Sequence, residues 1–141
     1  MSTIAADVRA LVALNLVPGI GTRLTSALLA RFGSAAAVLG ASAEQLQQVP
    51  HIGGKLACDL VQAFRTVDIE SELELMTRHR VWVLSRKESG FPASLIEIPD
   101  PPHLIYGRGE LKAADSNAVA LVGSRSCTTY GRRIAHGVTE N

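Results

Sequence analysis

A chain of 141 residues, 47% of them hydrophobic and 19% charged, has enough apolar surface to fold and is excluded from the disordered class. Its formal net charge of +1 excludes binding to a polyanion through overall charge, so any such site must be built from local groups. Cys58 and Cys127 form no Cys-x-x-Cys pair, and the four histidines show no metal-ligand spacing, which excludes a zinc framework and makes reduced, structural thiols the expectation.

In chain order, Ile4, Val8, Leu11 and Val12 lay one apolar stripe along a first helix ending near Asn15. Leu24, Ala27, Leu28 and Phe32 repeat that spacing in a second. Ser34 and Ser42 stand where helix N-caps would, Ser42 to Gln45 in the form of a capping box, so two short helices are expected between Gly33 and Val49. Leu56, Leu60 and Phe64 mark a further helix, which Ile69, Leu73 and Met76 either continue or follow with a new one. At Val81-Trp82-Val83-Leu84 the character changes to a β-branched and aromatic strand, placing a domain boundary between a helical part, residues 1–80, and a second part, residues 81–141. Trp82 is expected to anchor the core at that junction. Phe91-Pro92, Pro99 and Asp100-Pro101-Pro102 forbid long helices. His103 to Tyr106 and Val119 to Val122 are two more strand candidates, the second read as parallel and covered on both faces, and a helix follows from about Thr129. Glu140-Asn141 ends within that helix without a stop signal, so the chain is expected to be truncated. No segment approaches the roughly 20 apolar residues of a membrane span, and no leader is recognisable, so a cytoplasmic location without membrane contact is expected.

Two segments of the helical part repeat each other. Val17-Pro18-Gly19-Ile20-Gly21 precedes Arg23-Leu24, and Val49-Pro50-His51-Ile52-Gly53-Gly54 precedes Lys55-Leu56. Each joins two amphipathic helices through a tight turn whose isoleucine plugs the gap and whose glycines adopt backbone states closed to side chains. This is the helix-hairpin-helix pattern. Backbone amides at the next helix start can meet a phosphate there, with Arg23 or Lys55 beside it, so Gly19, Gly21, Arg23, Gly53, Gly54 and Lys55 are candidate nucleic-acid contacts. Tight turns of a small bundle that docks a protein partner would carry the same glycines.

Gly123-Ser124-Arg125 follows the third candidate strand, where open α/β sheets bind ligands: glycine admits the backbone, serine adds a hydroxyl and arginine a bidentate fork for phosphate. Tyr130-Gly131-Arg132-Arg133 opens the following helix, and no acidic residue lies between Asn117 and Thr139. Gly123, Ser124, Arg125, Tyr130, Gly131 and Arg132 complete the candidate set, with Tyr130 able to stack on a base. Neither a Gly-x-Gly-x-x-Gly fingerprint nor a Gly-x-x-x-x-Gly-Lys-Ser/Thr loop is present, which disfavours dinucleotides and triphosphates. The histidines are dispersed, no nucleophile has an identifiable base, and neither catalytic residues, cofactor nor metal is expected. A Rossmann-type enzyme acting on nucleotides or phosphosugars, with catalytic residues outside this chain, is the alternative.

Gly90-Phe91-Pro92-Ala93-Ser94-Leu95, Ile98-Pro99-Asp100-Pro101-Pro102, Leu104 to Gly109, Ala120 to Arg125 and Thr129-Tyr130-Gly131, in that order, resemble the DNA-processing protein A family (DprA, also called Smf). The resemblance implies an α+β chain: an all-α helix-hairpin-helix, or sterile-alpha-motif-like, domain followed by the beginning of an α/β Rossmann-like parallel sheet. It implies a protein without catalysis that binds and protects single-stranded DNA and helps load the RecA recombinase during natural transformation, with Arg125 on a phosphate. The family's Ser-Gly-x-Ala-x-Gly-Ile-Asp block and binding lysine lie beyond this chain, and any homodimer would form through that part. A fragment of this kind is expected to bind DNA weakly.

Overall fold

A computed structural model of the protein describes residues 4–112 and 122–139. Contacts divide the chain into two compact units, Met1–Glu110 and Leu111–Asn141.

The first unit opens with six helices: α1 Ala6–Asn15, α2 Thr22–Phe32, α3 Ala35–Leu39, α4 Ala43–Leu46, α5 Gly54–Thr66 and α6 Ile69–Arg78. Their bounds follow local chemistry. The Ser34 hydroxyl accepts the Ala37 N–H at 3.2 Å to start α3. At α4 the expected capping box is complete, the Ser42 hydroxyl accepting from Gln45 N and the Gln45 side chain from Ser42 N. Asp68 caps Ser71 N at 3.0 Å, so α6 is a new helix rather than an extension of α5. The hydroxyl of Ser71, then its N–H, holds the Asp68 carboxyl below its usual range. The apolar stripes converge on one core, with Leu14, Leu28, Leu46 and Leu60 fully buried and Ile20 and Ile52 packed among them. Those isoleucines close the two hairpin corners as expected.

Two strands complete the unit, β1 Val81–Ser85 and β2 Leu104–Arg108, with the single-turn helix α7 Ala93–Ile96 in the proline-rich connection. They pair antiparallel, Val81 opposite Arg108 and Ser85 opposite Leu104. The mixed α+β character stands, but the parallel pairing expected of a Rossmann-like sheet is not the one these strands make. Apolar runs reveal that a segment is buried as a strand, whereas direction depends on how the intervening chain returns. Here it returns as a long hairpin with no crossover helix between its ends. Trp82 is half-buried on this hairpin; its indole lies where a Cβ of Gly107 would stand, and its Nε1 donates to Gly109 O at 2.6 Å. It anchors the strand pair rather than a junction between domains. β1 also packs on α1 and α6, so the compact unit continues well past Arg80.

In the second unit, α8 spans Thr129–Thr139. Thr128 caps it: its hydroxyl accepts Gly131 N at 3.1 Å and its carbonyl accepts Arg132 N at 3.0 Å. The strand expected over Val119–Val122 lies, but for Val122, outside the described residues, as does the chain end at Glu140-Asn141. Among the described residues no helix is long and apolar enough to cross a membrane, and no three His, Cys, Asp or Glu side chains form a metal-holding group. Cys58 and Cys127 are free and exposed rather than packed.

Candidate nucleic-acid interface

The two hairpin corners have one construction. Gly21 and Gly53 are the extended N-caps of α2 and α5, with φ of −94° and −81°. Nothing lies within 4 Å of where a Cβ would stand on either. Neither cap has a side chain to bond the first amides of its helix, which stand at the positive end of the helix dipole. A helix start of this kind is suited to an anion.

The left-handed turn position is filled differently in the two copies. Gly19 has φ of 86°, as expected for a glycine required by geometry, while His51 takes φ of 69° at the equivalent place. In the second copy the glycine argument thus fails at the turn itself: Gly53 and Gly54 serve the helix start, and a histidine bears the strain.

The cations beside the corners also differ. Arg23 Nε donates to Asp100 Oδ2 at 3.2 Å in a largely exposed pair, whereas no ion pair or hydrogen bond holds the exposed Lys55 among the described residues. Lys55 is the readier phosphate ligand, and the Arg23 pair is of the weak, solvated kind.

In the second unit Gly123, Ser124 and Arg125 are exposed, and Arg125 is in no ion pair among the described residues. The Ser124 hydroxyl donates to Ser126 O at 3.0 Å, shaping the turn before α8. Gly123, Ser124, Gly131 and Arg132 line one groove of ≈ 580 Å³, which Arg125 and Tyr130 do not line. Tyr130 is 66% exposed, with the Arg133 guanidinium 6.0 Å from its ring centre. That arrangement leaves a ring face for stacking while the arginine holds the other region of the ring.

The fold also unites residues that no local pattern joins. Ser26 Oγ lies 2.8 Å from His103 Nε2, seventy-seven positions away in the chain. Here a hydroxyl meets an imidazole, a contact that the dispersed histidines of the sequence do not announce. No third group orients the imidazole among the described residues, so the pair lacks the relay of a serine nucleophile. Arg86 N donates to His103 O at 3.0 Å and Arg86 Nη1 to Pro101 O at 3.2 Å, which brings the turn after β1 against the same histidine. Only a three-dimensional contact could have revealed this cluster, because its members lie on three separate segments.

Comparison with known proteins fits the same two blocks. Residues 11–66, which contain both corners, match the family model of a SAM-like helix-hairpin-helix tandem, and residues 82–141 match that of DNA recombination-mediator protein A. Over residues 82–141 the chain is thus similar to the DNA recombination-mediator protein A family. UvrABC system protein C of Frankia casuarinae is 49% identical over 51 residues, 36% of this chain and 7% of that protein. The chain thus spans a small fraction of that curated relative's length. No solved structure matches it. The helix-hairpin-helix match covers the two corners of the first unit, and the mediator match covers the Gly-Ser-Arg turn and α8.

Proposed function

We propose that the protein binds single-stranded DNA and acts, without catalysis, as a cytoplasmic recombination mediator that protects the strand and presents it to a RecA recombinase. The observation that carries this reading is the pair of uncapped helix starts at Gly21 and Gly53, suited to an anion and flanked by Arg23 and Lys55. The exposed Arg125, in a segment free of acidic residues, is the proposed phosphate fork of the second unit, with Gly123 and Ser124 shaping its approach and Tyr130, Gly131 and Arg132 beside it. The division of the chain at Arg80/Val81 into a helical DNA-binding part and a mediator part belongs to the same reading, as does a homodimer.

Fluorescence anisotropy of labelled oligo-dT at two salt concentrations tests it. Affinity is expected to fall steeply with salt, and Arg125→Ala to weaken binding roughly tenfold, the effect of losing one charge-assisted hydrogen bond of about 1.4 kcal/mol or more. Binding that ignores both salt and the loss of Arg125 would sink the proposal.

A further inference from the structure

A cavity of ≈ 520 Å³ opens in the first unit between α1, α2 and the turn after β1. Val8, Leu11, Leu29 and Ala35 give it an apolar floor, and Ser26 and His103 bring a hydroxyl and an imidazole to its wall. Burial, and after it the charges of Arg86 and Lys87, holds His103 below its ordinary value, so the ring is neutral near pH 7 and can either accept or donate. An apolar pocket of this size with a few convergent polar groups is suited to one small planar ligand.

The charges on its rim narrow the ligand. Arg86 and Lys87 are balanced by Asp7 and Glu88. Arg86 is tethered to Pro101 O, and Glu88 Oε2 accepts Ser85 N at 2.6 Å, which leaves the Lys87 and Asp7 side chains uncommitted among the described residues. A balanced rim is poor for a polyphosphate. It suits a group with a single phosphate for Lys87 and an uncharged, hydrogen-bonding planar part, which is the chemistry of one nucleotide.

The cavity lies beside a second opening at the first hairpin corner. A smaller cleft of ≈ 140 Å³, walled by Gly21, Thr22 and Thr25, shares Leu11 and His103 with it. Thr22 at the start of α2 and Ser26 at the cavity are four residues, about one helical turn, apart, roughly 6 Å along the axis. A backbone phosphate on the amides of α2 therefore has a neighbouring base within reach of the cavity.

We propose that this cavity captures one unstacked nucleotide of the DNA strand whose backbone lies on the first hairpin corner. The base rests on the Leu11, Leu29 and Ala35 floor with its edge towards Ser26 and His103. The inference rests on the DNA-binding reading above, and its test separates the two.

A short oligo-dT carrying one 2-aminopurine, whose emission rises when the base leaves its stack, is titrated into the full chain while anisotropy reports binding. Emission is expected to rise several-fold at saturation. Ala30→Trp, which fills the cavity from an exposed position, abolishes the rise while salt-sensitive binding persists, and Ser26→Ala diminishes the rise while that binding likewise persists. Binding with no rise in the natural chain, or an undiminished rise in Ala30→Trp, overturns capture and leaves DNA binding standing. Absence of any salt-sensitive binding overturns both. In a parallel arm dTMP is titrated by heteronuclear NMR: shifts at Ser26 and His103 that the oligonucleotide cannot compete away would assign the cavity to a free nucleotide and overturn capture from the strand.

Discussion

Gly19 and His51 occupy the same left-handed position ahead of α2 and α5, at φ of 86° and 69°. A side chain in that region costs about 1–2 kcal/mol, which glycine avoids while losing more chain entropy on folding. Gly19→Ala is therefore expected to lower the unfolding free energy by about 1 kcal/mol or more in urea titration, whereas His51→Gly shifts it by less than about 0.5 kcal/mol because relief and entropy offset. Equal losses from both substitutions would contradict the account. His103 supplies a pH signature at the same scale. Its folded value lies below the ordinary 6.5, through burial first and the Arg86 and Lys87 charges next. The unfolded chain takes the proton first on acidification, so this contribution to stability is intact above 6.5 and is lost as pH falls towards the folded value. Thermal melts from pH 7 downward should drop less steeply for His103→Gln than for the natural chain; parallel curves would remove the histidine from the pH response. The buried Ile20 and Ile52 plugs were readable from the repeated Pro-x-Ile-Gly strings, since an apolar residue in a tight turn has only the core to go to. The strain at His51 was hidden behind a residue type that seldom announces it.

Among elements, the two hairpins are alike in backbone and unlike in charge. Both present bare helix starts, but Asp100, from the proline-rich connection, engages Arg23 at the first and no acidic partner engages Lys55 at the second among the described residues. Lys55→Ala should accordingly weaken oligonucleotide binding at low salt and reduce the slope of log affinity against log salt by about 1, the signature of one lost phosphate contact. Asp100→Ala should act in the opposite direction, strengthening binding a few-fold by releasing Arg23 and removing a nearby negative charge. Affinity unchanged in both variants would place the corners outside the interface. Helix positions were legible because 3.6-residue periodicity and hydroxyl caps are local signals, as the Ser42–Gln45 box shows. The Arg23–Asp100 pair and the antiparallel turn-back of β2 on β1 were not legible, because each depends on where distant segments meet.

At the scale of the molecule, composition changes character at Val81, while the compact unit runs on to Glu110. The difference has a physical origin. A change from helical to strand-forming residues marks a change of local conformation, and a folding unit ends where packing ends. β1 packs on α1 and α6, Arg86 N binds His103 O, and Ser26 on α2 meets His103 just before β2, so the hairpin is fastened to the helices at several places. Removing it would expose parts of α1 and α6 that it covers and leave Ser26 without its partner. A chain ending at Glu110 is thus expected to melt cooperatively near the full chain's temperature, and one ending at Arg80 to melt lower. By the usual proportion for a domain of this size, each 1 kcal/mol lost lowers the midpoint by about 4–8 °C. Coincident melts for the two pieces would show that the helices are self-sufficient and that the composition boundary is also the folding boundary.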